Sequence, residues 1–170
     1  MNYTQTLEYI HSLGNFSRPA GLCRITAAAK ALGSPQKKFY SVHIAGTNGK
    51  GSVSAMLANI FKEAGFKTGL FISPYIIDFR ERIQINGEFI SENDLVRYAE
   101  MVRSTGMDLS EFEFITAAAF LYFSDKKCDV VIAETGLGGR LDATNILESP
   151  VTVITKIGLD HSAVLGNTVE

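Results

Sequence analysis

Residues 42–52 read Val-His-Ile-Ala-Gly-Thr-Asn-Gly-Lys-Gly-Ser, an apolar strand running straight into a glycine-rich turn with a lysine near its centre. Glycines at 46, 49 and 51 let the backbone bring its N–H groups close to an anion. Lys50 adds a point charge, and a helix expected from about Ser52 aims its positive end at the same spot. The stretch therefore predicts a phosphate cradle built around Gly46, Gly49, Lys50, Gly51 and the helix start near Ser52. The general phosphate-loop pattern places Ser or Thr directly after the lysine, where its hydroxyl holds Mg²⁺. Here Gly51 intervenes, so another hydroxyl has to take that place. The plainer alternative is a glycine turn that ends a strand and leaves Lys50 in solvent.

Working outward, Leu7, Ile10 and Leu13 predict a helix stopped by Gly14, and a second helix covers about 23–32. Strands are expected at 42–45, 68–72, 128–134 and 151–155, with a helix over 52–64 ended by Gly65. Asn86-Gly87 reads as a two-residue hairpin turn between 82–85 and 88–90. Ser91 and Asp94 suggest a capping box for a helix to about Ser104, and another helix spans roughly 111–124. Runs such as Val130-Val131-Ile132-Ala133 indicate strands buried on both faces of a sheet. The prediction is an α/β fold, a doubly wound, mostly parallel sheet, with ligands at the carboxyl ends of its strands. The chain stops inside what reads as a new helix at 167–170, so a truncated domain is expected.

Composition narrows the partners. The 170 residues are 46% hydrophobic and 20% charged with net charge −2, the profile of one globular domain. That charge marks neither a general nucleic-acid binder nor a membrane-surface binder. Cys23 and Cys128 fit reduced thiols better than a disulfide framework, and no signal peptide or membrane-spanning run is read, so a cytoplasmic location is expected.

Polar groups collect where the strands end: Lys50 after the first, Ser73 after the second, Glu134 at the third, Asp160 and His161 beyond the fourth. A carboxylate at a buried strand end is costly unless a cation or hydrogen bonds compensate. Mg²⁺ would compensate at Glu134; Arg140 or Lys156 would be the ordinary partner instead. Ser73 before Pro74 reads either as a turn initiator or as the replacement Mg²⁺ ligand, and His161 as a loop histidine or a metal or catalytic group. His43, inside the first strand, reads as packed. The charged run Asp78, Arg80, Glu81, Arg82 is a solvated face or a substrate cover. Phe112, at a helix start, either joins the core or stacks on a flat ring.

Three blocks, residues 43–52, 73–83 and 134–145, together resemble folylpolyglutamate synthase and the bifunctional dihydrofolate synthase form, within the wider Mur ligase family. The first block is shared with cell-wall ligases; the other two are more specific to the folate branch. The resemblance implies an ATP-dependent ligase that activates a dihydropteroate or reduced-folate carboxylate as an acyl phosphate and joins it to L-glutamate. It also implies that residues 47–52 hold ATP, with Lys50, Glu134 and His161 catalytic. Ser73, Glu134 and His161 would be the Mg²⁺ ligands, and Gly21, Leu22, Ser110, Phe112 and Asp142 would lie near the pterin, Asp142 accepting from its amino and ring N–H groups. The family has a modified lysine slightly beyond the position of His161, which this chain ends before reaching. The expected organisation is an incomplete N-terminal ATP-binding domain over 1–170 without the glutamate-binding C-terminal domain, inactive alone. The competing expectations are a non-catalytic ATP-binding fragment and another Mur-family amide ligase. Gly51 and the missing Asn-Lys-x-Asp string argue against a phosphate-loop kinase or GTPase.

Overall fold

Four parallel strands and one antiparallel hairpin form a single six-stranded sheet in the computed structural model, which describes residues 1–14 and 19–168. In chain order the helices are α1 (Tyr3–Ser12), α2 (Cys23–Ala31), α3 (Lys50–Glu63), α4 (Glu92–Arg103), α5 (Glu111–Asp125) and the short α6 (Ser162–Leu165). The strands are β1 (Tyr40–Ala45), β2 (Thr68–Phe71), β3 (Ile83–Ile85), β4 (Glu88–Phe89), β5 (Val130–Glu134) and β6 (Val151–Ile154). Their order across the sheet is β4-β3-β2-β5-β1-β6. β5 lies between β1 and β2 and is parallel to both, so the carboxyl ends of three consecutive strands share one edge.

Side chains alternate across β5 and divide the core. Val131 and Ala133 face the layer made by α1, α2, α4 and α5, a cluster containing Phe71, Phe114 and Phe120. Val130 and Ile132 face α3, where Val53, Leu57 and Phe61 cover them. By the same period of two, Glu134 falls on the α3 side. The hairpin turns at Asn86 and Gly87, both at positive φ (52° and 84°), as its sequence predicts.

Several expectations shift. α3 begins at Lys50, two residues early, because Gly49 at φ 87° forms its N-cap. β6 is an edge strand rather than a covered core strand, with Val151 and Ile154 exposed. Ser91 caps α4 by accepting from the Asp94 N–H at 3.1 Å, while the Asp94 carboxylate pairs with Lys126 at 2.9 Å. The chain's last described helix is α6 at 162–165; the helix expected at 167–170 runs partly onto 169–170, outside the described residues. Among the described residues no helix is long and apolar enough to cross a membrane.

Candidate active-site cleft

β1 delivers the chain to Gly46, whose φ of 137° and lack of a side chain are both required. A Cβ there would lie 2.0 Å from the Thr155 hydroxyl oxygen. Beyond it, Thr47 and Asn48 donate their N–H groups to the Lys156 carbonyl at 2.9 and 3.3 Å, which ties the loop to the segment after β6. The Thr47 hydroxyl adds a bond to the Gly158 carbonyl at 3.1 Å and accepts from its N–H at 3.0 Å. Two of the six residues assigned to the phosphate thus spend their backbone donors on the scaffold. The first turn of α3 does not: its N-cap is glycine with no side-chain cap, so the donors of residues 50–52 carry the helix's positive end.

Lys50 folds back over this loop, donating to the Gly46 carbonyl at 2.9 Å. Its ammonium stands 3.9 Å from Glu134 Oε1, near enough for attraction and too far for a hydrogen bond. Glu134 itself is 3% exposed. Its only hydrogen bond among the described residues is a long one from the Ser73 N–H at 3.4 Å. Burial pushes its carboxyl up to about 7; Lys50 and the Ser73 N–H oppose that rise and Asp142 adds to it. A Cβ on Gly51 would sit 3.6 Å from Glu134 Oε2, an ordinary contact, so Gly51 borders the carboxylate. An under-partnered buried carboxylate beside an anion-binding helix start is a fit for a hard divalent cation.

Of the three expected Mg²⁺ ligands, Ser73 and Glu134 meet through the Ser73 N–H at 3.4 Å. Among the described residues no three His, Cys, Asp or Glu side chains converge as a metal cluster. His161, at φ 49°, is half exposed and turned toward Asp160, 3.8 Å away. It does line the same cleft as Lys50 and Ser73.

The cleft has a volume of about 970 Å³ and runs from Lys50 and Ser73 past Phe112 to Gly21 and Asp142. Phe112 lies flat on Gly136, where a Cβ would meet three ring atoms at 2.7–2.9 Å. Phe71 lies near it, with ring centroids 5.8 Å apart and the planes tilted by 35°. Ser110 lines the wall but is committed to a capping box for α5: Glu113 Oε2 accepts from both its N–H and its hydroxyl, at 2.8 and 2.9 Å. Leu22 does not line the cleft; it packs on the aromatic core, as an apolar side chain beside a helix start would.

Asp142 lines the cleft with its acceptor capacity already used. Oδ2 takes the Gly136 and Leu137 N–H groups, both at 2.9 Å, and Oδ1 takes the Thr144 N–H at 3.0 Å and hydroxyl at 2.5 Å. Four donors fill the lone pairs of one carboxylate. A ring N–H arriving there has to share an oxygen or replace the Thr144 hydroxyl. Burial raises the Asp142 carboxyl above the usual range, opposed by these bonds.

Two contributors lay outside the sequence-derived set. Glu113, 5% exposed, holds Arg24 through both oxygens at 3.1 and 3.2 Å. Its Ser-x-x-Glu spacing was a legible helix cap. His43, buried as expected, sits 2.8 Å from the Thr144 hydroxyl. Because that hydroxyl's proton goes to Asp142, the His43 Nε2–H is the donor. Burial pulls its pKa down, with Asp142 opposing the shift.

A glycine-rich loop between a buried strand and an uncapped helix, at the carboxyl edge of a mostly parallel sheet, defines an α/β fold of the Mur ligase-like kind. No protein-family model matches the chain. It is 46% identical over 177 aligned residues to the dihydrofolate synthase/folylpolyglutamate synthase of Bacillus subtilis, covering 99% of this chain and 41% of that protein. The corresponding Escherichia coli protein is 38% identical over 162 residues, 94% of this chain and 38% of the relative. Among solved structures, E. coli FolC in complex with DHPP and ADP superposes with a TM-score of 0.94 at 35% identity, covering 99% of this chain and 41% of that one. An FPGS-AMPPCP-folate complex gives 0.94 at 39% identity, covering 99% and 43%. The chain is thereby related, over essentially its whole length, to the folylpolyglutamate and dihydrofolate synthases. It spans about two fifths of the length of the curated relatives it matches.

Proposed function

We propose that the chain provides the nucleotide-holding and pterin-holding part of an ATP-dependent ligase that joins L-glutamate to a dihydropteroate or reduced-folate carboxylate. The observation that carries this reading is the single cleft linking Lys50 and Ser73 at one end to Phe112, Gly21 and Asp142 at the other. One end suits a triphosphate and the other a flat ring, and the substrate's carboxylate would lie between them. In the reaction, a carboxylate oxygen forms a bond to the γ-phosphorus as the bond to ADP breaks. The glutamate amine then attacks the acyl carbon, loses its proton, and phosphate leaves.

Each residue's work follows from its geometry. The α3 donors and Lys50 would stabilise charge on the transferring group, which is most of what phosphoryl transfer asks of a protein. Lys50 is free to do so because its present partners are carbonyls that a phosphate out-competes. Mg²⁺ would supply charge neutralisation between phosphate and carboxylate, held by Glu134 with Ser73 and His161. Phe112 would pack against the pterin face, with Asp142 and the turn at Gly21 bordering it. The fold and the reaction chemistry suit a cytoplasmic protein, acting on small molecules rather than on nucleic acid or membrane.

Calorimetric titration with dihydropteroate in the presence of magnesium and AMPPCP tests the reading. Phe112→Ala should weaken pterin binding about tenfold through loss of ring packing while nucleotide affinity stays within about twofold. Equal loss of both ligands, or no pterin binding by the unaltered chain, would contradict it.

A further inference from the structure

Arg82 has no part in the account above, yet it lines the same cleft. It follows the 3-10 turn at Phe79–Arg82, and the Ile72 N–H donates to its carbonyl at 3.1 Å. That bond places Arg82 across one strand spacing from the residue that precedes Ser73. Its guanidinium is stacked over two rings, 5.2 Å from the centroid of Tyr75 and 5.4 Å from that of Phe79. Its Nε is buried without a hydrogen-bond partner. The neighbouring cations differ. Arg24 is bound to Glu113 at two points, and Arg80 is bound to Asp78 at 2.6 Å. The nearest acid acting on Arg82 is Glu111, which is itself 3.3 Å from His11.

A guanidinium held in place by aromatic stacking, with its fork unspent and facing a cleft, is prepared for bidentate binding of a planar anion. The proposed reaction narrows which anion. A fork bound to the reacting carboxylate would occupy both oxygens and withdraw the electron pair that must reach phosphorus. A second, non-reacting carboxylate has no such conflict. We propose that Arg82 binds the non-reacting α-carboxylate of a substrate already ending in glutamate, and so sets the preference for glutamate-terminated folates over dihydropteroate. This deepens the function proposed above and rests on it.

The test titrates the chain, saturated with magnesium and AMPPCP, with tetrahydrofolate and separately with dihydropteroate. Arg82→Leu is expected to weaken tetrahydrofolate binding about 10- to 100-fold, the range of a lost charge-assisted pair. Dihydropteroate, with its single carboxylate, should change by less than about threefold, and Arg82→Lys should recover part of the tetrahydrofolate affinity. Unchanged AMPPCP affinity in each variant shows that the cleft still folds. Equal losses for both pterins, or no loss for tetrahydrofolate, overturn the assignment and leave the ligase reading standing. Failure of the unaltered chain to bind either pterin overturns both.

Discussion

Glu134→Gln should stabilise the metal-free chain, by under about 1 kcal/mol at pH 5 and by about 3 kcal/mol at pH 8. The folded carboxyl titrates at about 7 against 4.5 for an unperturbed glutamate. The folded state therefore holds its proton more tightly than the unfolded chain. Stability falls as pH rises through that window, and the cost is complete once the buried group is ionised. Glutamine keeps the shape and removes the charge. The same change should weaken magnesium-dependent nucleotide binding, because the amide offers a neutral oxygen where the carboxylate offers a charged one. Thermal melts in a chelator across pH 5–8 measure the first effect and calorimetry the second. A stabilisation independent of pH would mean that Glu134 is not strained by burial, and unchanged magnesium dependence would remove it from the metal's ligands.

Gly46→Ala is expected to cost about 3–5 kcal/mol, combining a strained backbone with a collision. The residue's φ is 137°, and the added carbon would sit 2.0 Å from the Thr155 hydroxyl oxygen and 3.1 Å from Thr155 Cβ and N. The collision matters beyond stability, since the Thr155 N–H to Ala45 carbonyl bond at 2.8 Å fixes the junction between loop and sheet. Adding Thr155→Ala removes only the nearest of these three contacts, so the double variant should regain about 1–2 kcal/mol and no more. Chemical denaturation of the two single variants and the double variant checks the arithmetic. A Gly46→Ala variant within about 1 kcal/mol of the parent would show that the loop does not have this path.

The parts of the molecule written in local sequence were readable in advance. Strand followed by glycine turn and lysine located the phosphate loop, and four apolar residues before Glu134 placed a carboxylate at a buried strand end. The Asn86-Gly87 turn specified its hairpin. What escaped depended on distant segments. No local pattern says that the Lys156 carbonyl will take the Thr47 and Asn48 N–H groups, or that Asp142 will fill its lone pairs from its own loop. The apolar composition of β6 suggested cover, whereas its exposure follows from its place at the sheet's edge. Nor does a local pattern say that His161 takes a left-handed conformation facing Asp160. Glu113 was overlooked in a capping pattern that could have been read, whereas Arg82 was named only within a charged run and its stacking is revealed by the fold alone.

The central claim is that α3's open first turn, Lys50 and Glu134 form one site for a magnesium-bound triphosphate. A crystal structure of this chain grown with magnesium and AMPPCP tests it most directly. The predicted result has Lys50 Nζ released from the Gly46 carbonyl onto the phosphates, and a metal ion contacting Glu134 and Ser73. A nucleotide bound elsewhere, or one bound here with Glu134 still facing only Lys50 and the Ser73 N–H, would contradict the account.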